Sequence, residues 1–368
     1  MCHATESVLS VKFSAPATAV LVLTAVEVAG AYDINDKLSI GGVLAGGYQY
    51  DEDGRQGGAA GTVRPHIDFR PTKRDELYLK LGFSAGNAIN DSTQFALDPW
   101  DADLESDVKG INGRSRDYLL TAWYKHTFIV DQGTNLGVTG GVIDSWDYLD
   151  LNAYANDEYV QFMNEAFVSA PTAFLPSYDY GGVVELDSGP VTTSAVLMNV
   201  GANDDGRSYW FWGLQVAYKV DSKLGTGNYR VLVDGTSKDF LDPQGSNEES
   251  LLGLTFSFDQ ELSDSLGAFV RIGWQQDDAE VDFDAQYSGG LNISGSLWNR
   301  PRDNAGIGYG YLSGGNAGVG DTQVLEAYAR FQFGEYVALT TDLQYMNEET
   351  TTGDTRGWIP GVRLVIQF

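Results

Sequence analysis

The chain has 368 residues and carries 51 acidic against 23 basic side chains, a net charge of −28 at neutral pH. That acidity opposes nucleic-acid binding. No run of eighteen uninterrupted apolar residues occurs, so no segment qualifies as a transmembrane helix, but a barrel needs only every second strand residue to be apolar.

The first element reads as an export signal over residues 1–31. Lys12 opens it, Ala15 to Val28 is mostly small or apolar, and Ala29-Gly30-Ala31 offers a cleavage site before Tyr32. Glu27, Pro16 and the polar Met1 to Val11 depart from the pattern, the last in the manner of a start codon placed too early; a buried first helix or strand is the alternative. Cleavage removes Cys2, the only cysteine, together with Lys12, Glu6 and Glu27, so the net charge becomes −27. Residues 32–368 then form a single domain without disulfides or cysteine metal sites.

From Lys37 onward, side chains alternate with a period of two. Leu38, Ile40, Leu44, Tyr48 and Tyr50 share one face. Val63, Pro65, Ile67 and Phe69 oppose Arg64, His66 and Asp68. Leu77, Leu79, Leu81 and Phe83 point outward, with Tyr78 and Lys80 inward. Tyr118, Leu120, Ala122, Tyr124 and Phe128 oppose Asp117, Thr121, Trp123 and Lys125. Further runs lie near 134–144, 177–187, 189–200, 207–220, 228–236, 249–260, 264–276, 280–292, 304–312, 322–333 and 336–346. In the final run Trp358, Pro360, Val362, Leu364, Ile366 and Phe368 alternate with Ile359, Gly361, Arg363, Val365 and Gln367. A strand closing on Phe resembles the recognition signal read by the outer-membrane assembly machinery of bacteria.

These runs predict about sixteen antiparallel strands. The connections sort by parity: one set is short, with Ile293–Asp303 as the exception, and the other includes Ala85–Arg116 and Ser145–Ser177. Short periplasmic turns with long external loops are the asymmetry of a transmembrane β-barrel. Apolar side chains outside and charged or small ones inside suit lipid, where backbone amides must pair within a closed sheet. A cylinder of this width holds water unless loops narrow it.

Both long loops carry apolar stripes at helical spacing. Asp98-Pro99-Trp100 reads as a helix start, followed by Trp100, Leu104, Val108 and Ile111; the second stripe is Tyr159, Phe162, Met163, Ala166 and Phe167. The expectation is two partly helical loops folded into the lumen, with a cap on top of the barrel as the alternative. Inward or loop positions hold the bases Arg64, Lys80, Lys125, Arg230, Arg271, Arg330 and Arg363, the acids Asp68, Glu185 and Glu326, and the aromatics Trp100, Trp123 and Tyr154. Charges of both signs facing each other set up a transverse field suited to dipolar neutral solutes, and aromatic faces suit sugar rings.

Several segments are similar to the carbohydrate-selective porins of Gram-negative outer membranes, the OprB family. They are GRSRDYLLTAWYKHTF at 113–128, GVIDSWDYLDLNAYANDEYVQFMNEAF at 141–167, PSYDYGG at 176–182, YWFWGLQVAY at 209–218 and WNRPRDNAGIGYGY at 298–311, with the closing LTTDLQYM and GVRLVIQF. The resemblance covers nearly all of residues 32–368. It implies a monomeric or homotrimeric sixteen-stranded barrel for passive uptake of glucose-like sugars, in contact with membrane lipid and lipopolysaccharide. It also implies a constriction of Arg, acidic and aromatic residues, for which Lys80, Trp123, Asp144, Asp157, Glu158 and Arg271 are the candidates by position.

Other signals point elsewhere. GYGYLSGGNAGVG at 308–320 lacks the ending of a phosphate loop. His66 and His126, read here as inward, are too far apart for a metal site, and Asp101/Asp103 and Asp277/Asp278 match no calcium loop. No cofactor and no catalytic residue is expected. The rival functions are a general or cation-preferring diffusion porin, an outer-membrane barrel enzyme, and a soluble secreted β-sandwich.

Overall fold

The computed structural model describes residues 32–351 and 353–368; the expected export signal, residues 1–31, lies outside them. Sixteen antiparallel strands form the wall. They are β1 (Leu38–Asp51), β2 (Gln56–Phe69), β3 (Asp75–Leu81, resuming at Phe83–Ala85), β4 (Leu119–Asp131), β5 (Thr134–Ile143), β6 (Asp179–Ser188), β7 (Val191–Val200) and β8 (Tyr209–Asp221). The second half is β9 (Thr226–Thr236), β10 (Leu252–Ser263), β11 (Leu266–Gln275), β12 (Phe283–Ser294), β13 (Asn304–Gly314), β14 (Val319–Phe333), β15 (Val337–Thr350) and β16 (Thr355–Gln367). Each pairs with the next, and β1 also pairs with β16 from Val43↔Gln367 to Gln49↔Gly361, which closes the cylinder. A short strand, Tyr32–Asn35, folds back on the start of β1.

The alternation does what lipid demands. Along β8, Trp210, Trp212, Leu214, Val216 and Tyr218 are 40–52% exposed, whereas Phe211 and Gln215 between them are 0% and 3% exposed. Rows of this kind recur around the wall: Leu44 and Tyr48, Phe69 and Leu77, Val362 and Leu364. Monomeric soluble proteins do not expose apolar surface on this scale. This is the pattern of a barrel dissolved in hydrocarbon, not of a sandwich with a dry interior between two sheets.

The connections keep the expected parity. At one end are the turns 70–74, 132–133, 189–190, 222–225, 264–265 and 334–336, together with 295–303, which holds the 3-10 turn Gly295–Trp298. Gly133, Gly189, Gly225 and Gly334 take positive φ there, a conformation open to glycine at little steric cost. The opposite end carries the two longest connections, 86–118 and 144–178.

Three expectations are corrected. Leu120 faces inward: pairing slips between Lys80 and Leu81, so Leu120 and Thr121 both turn into the barrel, and Leu120 fills the space above Gly82. His126 faces outward, on the same side of β4 as Tyr124 and Phe128, and bonds Asp75 at 2.7 Å. The first loop forms no helix at Asp98–Ile111, only a 3-10 turn at Ile111–Gly113, and the second keeps a 3-10 turn, Ser145–Asp147, and one α-helical turn, Glu165–Val168, capped by Asn164. The reason lies in the hydrogen bonds. Pro99 O accepts from Gln49 Nε2 (2.9 Å) and Gln344 Nε2 (2.8 Å) on the wall, and Asp101 N donates to Met163 O in the other loop. Partners from distant strands replace those a helix would have supplied. The stripes still bury, with Trp100, Leu104, Val108, Phe162, Met163, Ala166 and Phe167 at 0–1% exposure.

Candidate functional site: a charged constriction inside the barrel

The 144–178 loop descends along the inner wall and forms dry clusters with it. Ile143, Leu149, Phe211 and Leu232 meet on the β5–β9 side, and Phe162, Phe167, Phe269 and Tyr328 on the β11–β16 side. What stays open lies against β2 and β3. There a cavity of about 500 Å³ is bounded by Arg64 and Lys80 from the wall and by Asp103, Asp144, Asp147, Glu158 and Tyr178 from the loops.

Alternation aims Arg64 inward, between Val63 and Pro65. Its Nη2 lies 2.8 Å from Asp103 Oδ2, and its Nη1 lies 2.9 Å from both Glu158 Oε1 and Tyr159 Oη. The Tyr159 ring sits 5.1 Å from the guanidinium carbon. Arg64 is thereby fixed as a rigid positive point. Asp103 is held in turn by the Tyr178 hydroxyl (2.6 Å), and Ser84 Oγ donates to the Asp103 carbonyl (2.7 Å). Lys80 is held more loosely, with Nζ 3.9 Å from Asp147 Oδ1 and 5.5 Å from the centre of the Tyr178 ring. Its ammonium is therefore the basic group of the constriction best able to turn toward a solute.

The acids outnumber the bases. Asp98, Asp101, Asp107 and Glu165 also line the cavity, giving eight carboxylates against Arg64, Lys80 and Lys109. Crowding and burial hold several of them back from ionising. Asp144 is pushed up to about 7 by burial and by Asp147, and Asp107 to about 7 by burial and by Asp103. Glu158 rises to about 8 through burial, against the pull of Arg64 and with Asp157 adding to the rise.

The remaining predicted positions fall outside this cavity. Arg271 is fully buried and bonds Asp150 Oδ1 (2.9 Å) and the carbonyls of Phe167 (2.7 Å), Ser169 (3.1 Å) and Ala155 (3.0 Å). Glu326, equally buried, accepts from Met163 N (2.6 Å) and Asn164 N (3.0 Å). Arg363 bonds the carbonyls of Glu158 and Gln161. All three tie the loop to the wall. Trp100 lies over Gly47, where a Cβ would come within 2.6 Å of its ring, and donates its indole N–H to Glu158 O. Asp157 accepts from Tyr159 N and Val160 N. Lys125 pairs with Glu185 at 2.5 Å, and Arg230 with Asp259 at 2.6 Å. Arg330 bonds Gln332 at 2.6 Å. Trp123 stacks on Tyr78 (5.2 Å), which stacks on His66 (5.6 Å), and Tyr154 rests on Gly267.

Of the predicted site residues, then, Arg64, Lys80, Asp144 and Glu158 converge on one cavity. Sequence reasoning missed Asp103, Asp147, Asp107 and Tyr178. Asp103 was visible only as half of an acidic pair set aside as a loose calcium site. Tyr178 sits inside PSYDYGG, one of the segments that carried the family resemblance, and that was the only signal pointing to it.

Known proteins bear on this geometry. The model of the family described as "Carbohydrate-selective porin, OprB family" matches residues 82–368. An uncharacterized protein of Aquifex aeolicus (strain VF5) is 28% identical over 326 residues, 87% of this chain and 92% of that protein. Among solved structures, the high-pH structure of Pseudomonas putida OprB superposes with a TM-score of 0.71 at 14% identity, covering 90% of this chain and 94% of that one. The low-pH structure of the same protein gives 0.57 at 11% identity, over 90% and 93% of the two chains. A variant of the Rh. blastica porin gives 0.53 at 14% identity, over 90% and 100%. Barrel and family match agree: the chain belongs to the carbohydrate-selective porin family, OprB, a family of channels rather than enzymes.

Proposed function

We propose that this barrel conducts glucose-like sugars passively across an outer membrane, with the cavity between Arg64, Lys80 and the loop acids as its filter. The observation that carries the reading is the juxtaposition of fixed charges of opposite sign beside aromatic rings. Arg64 and Lys80 stand on one side, Asp103 and Asp147 on the other, with Tyr159 and Tyr178 between them. A solute rich in hydroxyls can give and accept hydrogen bonds across that gap, whereas an ion is attracted by one side and repelled by the other. The reading includes insertion as a monomer or homotrimer beside lipopolysaccharide, through assembly machinery that reads the strand ending on Phe368.

Planar-bilayer recording tests it. Glucose should reduce ion current in a saturable way, and Lys80→Gln should weaken that block. Current indifferent to glucose, with amino acids and cations entering liposomes as fast as sugars of equal size, overturns the sugar reading.

A second reading, cation preference, is favoured by the excess of carboxylates in the cavity. Reversal potentials across a KCl gradient measure it directly.

A further inference from the structure

The lipid-facing wall carries a groove of about 460 Å³ near the short-turn end, and its lining is almost wholly apolar. Its rims are Phe69, Leu77 and Tyr124, each at least 40% exposed. Its floor is low because Ala122 and Gly140 are small; a Cβ built on Gly140 meets nothing within 4 Å. Directly beyond the groove, the chain turns through Arg70-Pro71-Thr72-Lys73-Arg74, three bases without an acid in a protein of net charge −28. Arg70 is engaged by Asp68 (2.5 Å) and Glu76 (3.0 Å). Lys73 and Arg74 are exposed and make no ion pair among the described residues. Asp75, the nearest acid, is occupied by Tyr124 Oη (2.5 Å), His126 Nδ1 (2.7 Å) and Thr72. The turn is pinned to β4 by Thr127 N donating to Arg74 O (2.7 Å).

We infer that this groove and turn form a binding site for one anionic phospholipid of the periplasmic leaflet. An acyl chain lies over Ala122 and Gly140 between Phe69 and Tyr124, and the phosphate group meets Lys73 and Arg74. Charge complementarity selects this occupant. An apolar groove alone would take any lipid tail, whereas two unpaired cations at its mouth, level with the headgroups, favour a headgroup of net negative charge. The site rests on the chain spanning a membrane and not on which solute crosses the lumen.

The test is native mass spectrometry of the purified barrel, released from detergent after exchange with vesicles of phosphatidylglycerol and phosphatidylethanolamine in equal parts. The wild type should retain phosphatidylglycerol in preference to phosphatidylethanolamine. Lys73→Gln with Arg74→Gln should cut phosphatidylglycerol retention about twenty-five-fold, given a roughly fivefold contribution from each base near an anionic headgroup, and leave phosphatidylethanolamine unchanged. Gly140→Leu, whose Cβ enters open space and whose branch occupies the groove, should reduce both. Unchanged retention in either variant, no headgroup preference in the wild type, or a wild-type oligomer that Gly140→Leu dissociates each overturns the lipid site. Both variants lie outside the lumen and should keep wild-type conductance, which confirms that the barrel is folded. A chain that fails to enter vesicles at all refutes the membrane reading instead.

Discussion

Two halves of the barrel interior use charge in opposite ways. On the β10–β16 side, Arg271, Glu326 and Arg363 are fully buried and spend their hydrogen bonds on loop backbone. On the β2–β3 side, Arg64 and Lys80 face loop side chains across an open cavity. An inward-pointing charge is therefore not by itself a charge that a solute meets. What it touches decides: backbone carbonyls and amides make an anchor, and carboxylates across an open cavity make a filter.

The contrast breaks most visibly at Arg271. Arg271→Ala leaves Asp150 buried without its counter-charge and strands the carbonyls of Phe167, Ser169 and Ala155. It should cost about 3–5 kcal/mol, read as a lower unfolding temperature in detergent, and give larger, noisier single-channel currents as the loop loosens. A variant with wild-type stability and altered sugar block would move Arg271 from anchor to filter. Gly47→Ala, on β1 opposite Arg363, probes the packing of the other loop more gently, because its new Cβ meets the Trp100 ring at 2.6 Å. Overpacking there should cost about 1–3 kcal/mol, measurable by the same melt. Lys80→Gln acts on the other half. With a partner 3.9 Å away it should cost far less stability than Arg271→Ala, yet shift selectivity toward cations in a reversal-potential measurement.

The smallest effect is on pH. Asp144 and Asp107, both raised to about 7, lose charge as pH falls from 8 to 5, while Arg64 and Lys80 keep theirs. Cation preference should therefore decline over that interval. The sign for stability is the reverse: these groups bind protons more tightly folded than unfolded, so stability falls as pH rises from the free carboxylate range through about 7, and acidification over that range strengthens the loop. Melting curves at pH 8 and pH 6 give the comparison.

Legibility in the sequence divides along the same line. The strands could be read because their cause is local: each outward residue meets lipid wherever its neighbours lie, so Trp210 to Tyr218 or Trp358 to Phe368 declare their faces unaided. Leu120 escaped because one slipped pair reverses parity. The loops could not be read, because Trp100 and Phe162 show only that they will be buried and not against what. Asp98-Pro99-Trp100 has a helix's opening, but Gln49 and Gln344 occupy the carbonyl of Pro99. The filter shares this fate. Arg64 and Lys80 could be placed inside, whereas Asp103 and Tyr178 join them through contacts that no spacing encodes. Arg271 and Arg64 look alike until the loop is seen.

The seam between β1 and β16 has a consequence for how such a cylinder comes into being. Val43 meets Gln367, and Gly42 exchanges two hydrogen bonds with Phe368 (2.7 and 3.0 Å), so partners from opposite extremes of the described chain must find each other last. This joint is also short, seven register pairs against fourteen between β1 and β2. Encounters this remote in sequence are slow, and until they occur both margins of the unfinished sheet stay unpaired and adhesive. Closing the suture thus removes the last open edge of the wall.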